Sequence, residues 1–138
     1  LYRFPLAIFE QPVAANIDVS VKFKAVAGEV DRAGGIVVRL VDADNYYVVR
    51  ANALEDNVRL YRVIKGDRIQ FAGASAKVAS GAWHELRLGA QGNRFEVFFN
   101  GKSLFSASDA TLTGAGGVAL WTKADSVTYF DDLVLRPL

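Results

Sequence analysis

Apolar and polar residues take turns along most of this chain. Ile17-Asp18-Val19-Ser20-Val21-Lys22-Phe23-Lys24 is the plainest stretch, and its period of two predicts a half-buried β-strand. Gly35 to Val41 predicts a second strand, with Ile36, Val38 and Leu40 on one face and Val37, Arg39 and Val41 on the other. Further strands are predicted over Tyr46 to Asn52, Val58 to Lys65 and Arg68 to Ala72, then Trp83 to Ala90, Arg94 to Phe99 and Lys102 to Ser106. Gly117 to Lys123 and Val127 to Leu135 complete the set, and Pro137 closes it. Breaks rich in Asp, Asn and Gly separate them: Asp42 to Asn45, Leu54 to Asn57, Lys65-Gly66, Gln91-Gly92-Asn93 and Asn100-Gly101. Ala27 to Arg32 and Ala74 to Gly81 read as connections, and Asp109 to Gly114 as a loop with room for one helical turn. No segment sustains a 3.6-residue period with caps. Strands at about ten-residue spacing point to a single all-β domain over residues 1–138, two antiparallel sheets in a sandwich or a barrel.

Composition narrows the function classes. Hydrophobic residues are 51% of 138, enough for a real core. Sixteen basic side chains against fifteen acidic ones, interleaved throughout, argue against a nucleic-acid partner. With no Cys there is neither thiol chemistry nor a thiolate metal site. No apolar run approaches the roughly 20 residues of a membrane helix, so no membrane insertion is expected. The start LYRFP, without Met, reads as that of a processed chain or an excised domain.

The order AGGIVVR, then DADNYYVVRANALEDNVRLY, WHELRL, RFEVFFNGK and GGVALWTKADSVTYFDDL resembles the concanavalin A-like lectin/glucanase superfamily. Within it the sequence is similar to bacterial jelly-roll domains of the laminin-G-like and 3-keto-disaccharide-hydrolase-like kind. The resemblance spans Ile17 to Leu135 and implies a jelly-roll β-sandwich, an exported location (extracellular or periplasmic) in a bacterium, and a carbohydrate partner. The N-terminus departs from the pattern. Either Leu1 to Phe9 supplies an edge strand, or strands lie upstream and the open edge invites a homodimer.

The glucanase signature of that superfamily, E-x-D-x-x-E, sets two carboxylates on one strand face about 5 Å apart. The nearest string here, Glu29-Val30-Asp31-Arg32-Ala33-Gly34, ends in glycine. The remaining enzymatic reading, hydrolysis of unusual glycosides such as 3-keto sugars, would rest on Glu85 and Glu96, which share a hairpin. Arg87 or Arg94 bridging them as a solvated pair is the plainer reading. His84 is the single histidine and reads as structural. No cofactor is called for. Asp42 to Asn45 and Glu55 to Asn57 cluster oxygens in loops, as calcium prefers, and the resemblance implies a structural calcium near the last strand, with Asp131 or Asp132 as its ligand.

For a non-catalytic lectin-like module, strand parity assembles a polar and aromatic surface on the concave sheet face. It would hold Arg39, Arg50, Asn52, Arg59, Tyr61, Phe98, Trp121 and Lys123. Tyr61 and Trp121 would stack on sugar rings, and the arginines and Asn52 would bond hydroxyls or an acidic sugar. An ordinary solvated sheet face, in a structural or interaction domain without a small ligand, is the remaining alternative.

Overall fold

The computed structural model describes residues 6–30, 32–123 and 125–138, and among these no helix forms. Eleven strands make two antiparallel sheets. The six-stranded sheet has the order β1 (Leu6–Ala14), β10 (Gly116–Trp121), β3 (Ala33–Asp42), β4 (Asn45–Asn52), β5 (Asn57–Ile64), β6 (Asp67–Ser75). The five-stranded sheet has the order β11 (Val127–Pro137), β2 (Ile17–Ala27), β7 (His84–Gln91), β8 (Arg94–Phe99), β9 (Lys102–Ser108). This is the expected jelly-roll sandwich.

Among the described residues the N-terminal edge strand covers Leu6–Ala14, past the expected end at Phe9, and pairs with β10; the first five residues of that expectation lie outside the described residues. The loop between β9 and β10 holds no helical turn. Lys65-Gly66 and Asn100-Gly101 both have two consecutive positive φ angles, the backbone of two-residue hairpins that follow the strand twist.

The main core lies between the sheets. Val19, Val21 and Phe23 of β2 and Leu86 and Leu88 of β7 meet Tyr47, Val49, Ile36, Val38 and Leu60 from the other layer. A second buried cluster covers the opposite face of the six-stranded sheet: Val37, Leu40, Tyr46, Val48, Tyr61, Val63, Ala119 and Trp121, with Leu6 against it. The inner strands β3, β4 and β10 of that sheet are therefore buried on both sides. Hence GIVVRL and YYVVRA are almost unbroken apolar runs, whereas β2 and β7 alternate.

Gly35 is fixed by this packing. A Cβ there would stand 2.6 Å from the Val49 carbonyl oxygen and 3.2 Å from the Trp121 ring.

Candidate sugar-binding face

Arg50 and Tyr61 point to the same side of the six-stranded sheet from neighbouring strands. Arg50 is 2% exposed. Its guanidinium donates to Asn57 Oδ1 at 2.6 Å and to the Tyr61 hydroxyl at 3.1 Å. Glu55, in the β4–β5 turn, approaches Arg50 at 3.5 Å and Arg59 at 3.7 Å. Arg59 precedes Tyr61 by two positions on the same strand face, and its interaction with the Tyr61 hydroxyl, ahead of the opposing effect of burial, raises the Arg59 pKa. The two-residue turn at Lys65-Gly66 brings Arg68 opposite Val63 and Gln70 opposite Tyr61. Arg68 then lies over the Tyr61 ring, 4.5 Å from its centroid. β4, β5 and β6 thus concentrate Arg50, Arg59 and Arg68 around one tyrosine.

Between β5 and β6 this face opens a pocket lined by Asn57, Arg59, Gln70, Ala74 and Ser75. Sequence reasoning missed Glu55, Asn57, Arg68 and Gln70. The signal was present in the short Lys65-Gly66 turn, which sets the register of β6, had parity been carried across it.

The aromatic platform expected on this face is not exposed. Trp121 is fully buried and Tyr61 is 5% exposed, so neither ring offers a surface for stacking. Asn52 is on the same strand as Arg50, but its side chain is consumed locally. Its Oδ1 accepts from the Leu54 and Glu55 amides, and its Nδ2 donates to Glu55. Lys123 lies past the end of β10 and is half-buried.

Arg39 does not join the face at all. A register break around it gives it a φ of 51°, in the left-handed region. The extra residue moves Leu40 to the side of Val37 and turns Arg39 inward. There its guanidinium donates to the carbonyls of Ala15 at 2.8 Å, Leu112 at 2.9 Å and Gly92 at 2.6 Å, and packs on Phe95 and Tyr47. Burial, the larger effect, lowers its pKa, and the neighbouring Tyr47 opposes that shift. Its role is to tie three chain connections together.

Phe98 belongs to the other sheet, where Arg87 covers its ring at 4.4 Å. Arg87 also forks onto both carboxylate oxygens of Asp18, Nε to Oδ1 at 2.8 Å and Nη2 to Oδ2 at 2.7 Å. That hydrogen bond is the main reason its pKa is raised. Glu96 pairs with Gly89, four residues along β7 from Glu85. At 3.3 Å per residue this sets their backbone positions about 13 Å apart along the strands. Arg87 stands between them.

His84 bonds the Ala79 carbonyl through Nε2 and the Asn100 amide through Nδ1, and stacks on Phe99 at 5.2 Å. These contacts fit the structural reading of the sequence.

Asp131 and Asp132 are both exposed, at a bulge in β11. Asp131 accepts the Asp132 amide, and Asp132 pairs with Lys22 at 3.2 Å. Among the described residues no three acidic or histidine side chains form a metal cluster.

Residues 10–137 match the family of galactocerebrosidase C-terminal lectin domains. The chain belongs to that family. No curated protein sequence matches it. Among solved structures, this lectin domain is similar to the carbohydrate-binding module CBM66 from Bacillus subtilis. The TM-score is 0.89 at 18% identity, over 96% of this chain and 81% of the other. It is also similar to CG-16, a homodimeric agglutinin from chicken liver, with a TM-score of 0.68 at 11% identity over 97% and 100% of the two chains. The Bacillus licheniformis β-glucanase gives 0.67 at 12% identity, over 92% and 68%. These likenesses establish the shared sandwich, and the family match establishes a lectin-like domain.

Proposed function

We propose that this lectin domain is a non-catalytic carbohydrate-binding module whose sugar docks on the outer face of the six-stranded sheet, across β4, β5 and β6. The convergence of Arg50, Arg59 and Arg68 on Tyr61 carries the reading. Planar guanidinium groups held by neighbours bond paired hydroxyls at little entropic cost. Arg50, Asn52 and Tyr61 serve as the buried frame. Arg59 and Gln70 are the groups that reach outward. Recognition here rests on hydrogen bonds rather than on ring stacking, since the aromatic rings are covered.

The test is a glycan and polysaccharide panel, run in calcium and in chelator, with native protein, Arg59→Ala and Trp83→Ala. Trp83 is 47% exposed immediately before β7 of the five-stranded sheet, beside Lys24. Binding that Arg59→Ala removes and Trp83→Ala keeps supports the proposed face. The reverse pattern moves the site to the other sheet. A blank panel overturns the binding function.

A further inference from the structure

We infer that the sugar is acidic, carrying a carboxylate or a sulfate ester, and that Arg59 reads its charge. The inference rests on the six-stranded sheet being the binding face, as proposed above.

Two guanidinium groups, Arg50 and Arg59, meet one carboxylate, Glu55, on this part of the face. Glu55 is divided between them. One oxygen takes the Asn52 amide and lies 3.5 Å from Arg50, and the other lies 3.7 Å from Arg59. A contact of 3.7 Å is an ion pair without the forked hydrogen bonds a guanidinium makes to a well-placed carboxylate. Asp44 and Asp67 belong to the turn before β4 and the start of β6. Asp44 comes within 3.6 Å of where a Cβ on Gly66 would be, at the far end of the strands from Arg59.

The pocket beside Arg59 is polar without being acidic: it is lined by one guanidinium, two amides and a hydroxyl, with no carboxylate. Arg50 already occupies Asn57 Oδ1, so Asn57 has its NH₂ to offer, another donor. Space there depends on Gly73, the cross-strand partner of Arg59. A Cβ on Gly73 would stand 3.0 Å from Gln70 Nε2 and 3.2 Å from Arg59 Cγ, pressing on both. A partly compensated guanidinium beside amide and hydroxyl groups able to donate, with no carboxylate lining the pocket, favours an anion over a neutral hydroxyl pair.

The experiment is titration calorimetry with three probes of matched length: a neutral galactan oligosaccharide, an oligogalacturonate and a sulfated galactan oligosaccharide. At low salt at least one charged probe is expected to bind on the order of tenfold tighter than the neutral one, with the gap shrinking as salt rises. The two charged arms distinguish carboxylate from sulfate. Arg59→Gln, at a side chain 35% exposed and so tolerant of exchange, should erase the preference, and Gly73→Ala should weaken it. Equal or better binding of the neutral probe overturns this inference and leaves the binding function standing. A charge preference that survives Arg59→Gln overturns the role of Arg59. Silence from all three probes overturns the inference, and the binding function falls with it only if the broad panel is also blank.

Discussion

Arg68 lies over the ring of Tyr61, 4.5 Å from its centroid, and so closes off the tyrosine that the sequence offers as a sugar-stacking platform. What Tyr61 supplies instead is its hydroxyl, which accepts from Arg50 at 3.1 Å. Tyr61→Phe keeps the ring and removes that acceptor from a buried cation. A stability loss of about 1–3 kcal/mol is expected in urea unfolding. Sugar affinity should fall as Arg50 and Arg59 lose their common anchor.

Arg39 makes its three bonds to backbone carbonyls in chain segments far apart in sequence. Arg39→Met fills similar space but leaves those carbonyls without their donor. A loss of about 3 kcal/mol or more is expected. Arg39→Lys should recover only part, since one ammonium does not span three fixed acceptors. Sugar affinity of the fraction that remains folded should not change.

Asp109 anchors the loop before β10. Its Oδ1 accepts the Tyr47 hydroxyl at 2.6 Å, and its Oδ2 pairs with Arg62 at 2.8 Å. Burial opposes its ionisation. The bonds from Tyr47 and Thr111 and the charge of Arg62 outweigh burial and hold the carboxyl below the usual range. A folded-state pKa below the unfolded one means stability that is complete at neutral pH and is lost as pH falls through the folded value. Asp109→Asn should therefore be less stable than native at pH 7. The difference should narrow below about pH 4, in thermal melts across that range.

Gly35→Ala places a methyl group 2.6 Å from the Val49 carbonyl oxygen and against Trp121. Overpacking of this kind costs about 1–3 kcal/mol. Trp83→Phe leaves Trp121 as the single emitter, since the chain has two tryptophans. Its fluorescence should be blue-shifted and shielded from acrylamide in that background, and both properties should weaken when Gly35→Ala is added.

Much of the fold was legible because strand and turn signals act locally. Asn100-Gly101 and Asp42 to Asn45 mark their turns by chemistry that needs no tertiary context. Parity also placed Arg50, Arg59, Tyr61 and Trp121 correctly on one face. It failed at Arg39, where one extra residue reverses which side chains face inward, and a bulge of that kind leaves no compositional trace in VVRLVD. It could not separate Phe98 from the others, because sheet membership depends on long-range pairing. Nor could it show that the aromatic rings are covered, since Arg68 reaches Tyr61 only through the register of β6.

The inner strands of the six-stranded sheet, buried on both faces, also decide where this molecule can be diversified. Libraries built on the inner strands β3, β4 and β10 would mostly yield unfolded clones, because nearly every position there is packed. The outward positions of β5 and β6, Arg59 and Gln70 among them, sit at the margin of that packing. Directed evolution of a new specificity has its workable alphabet in those few positions.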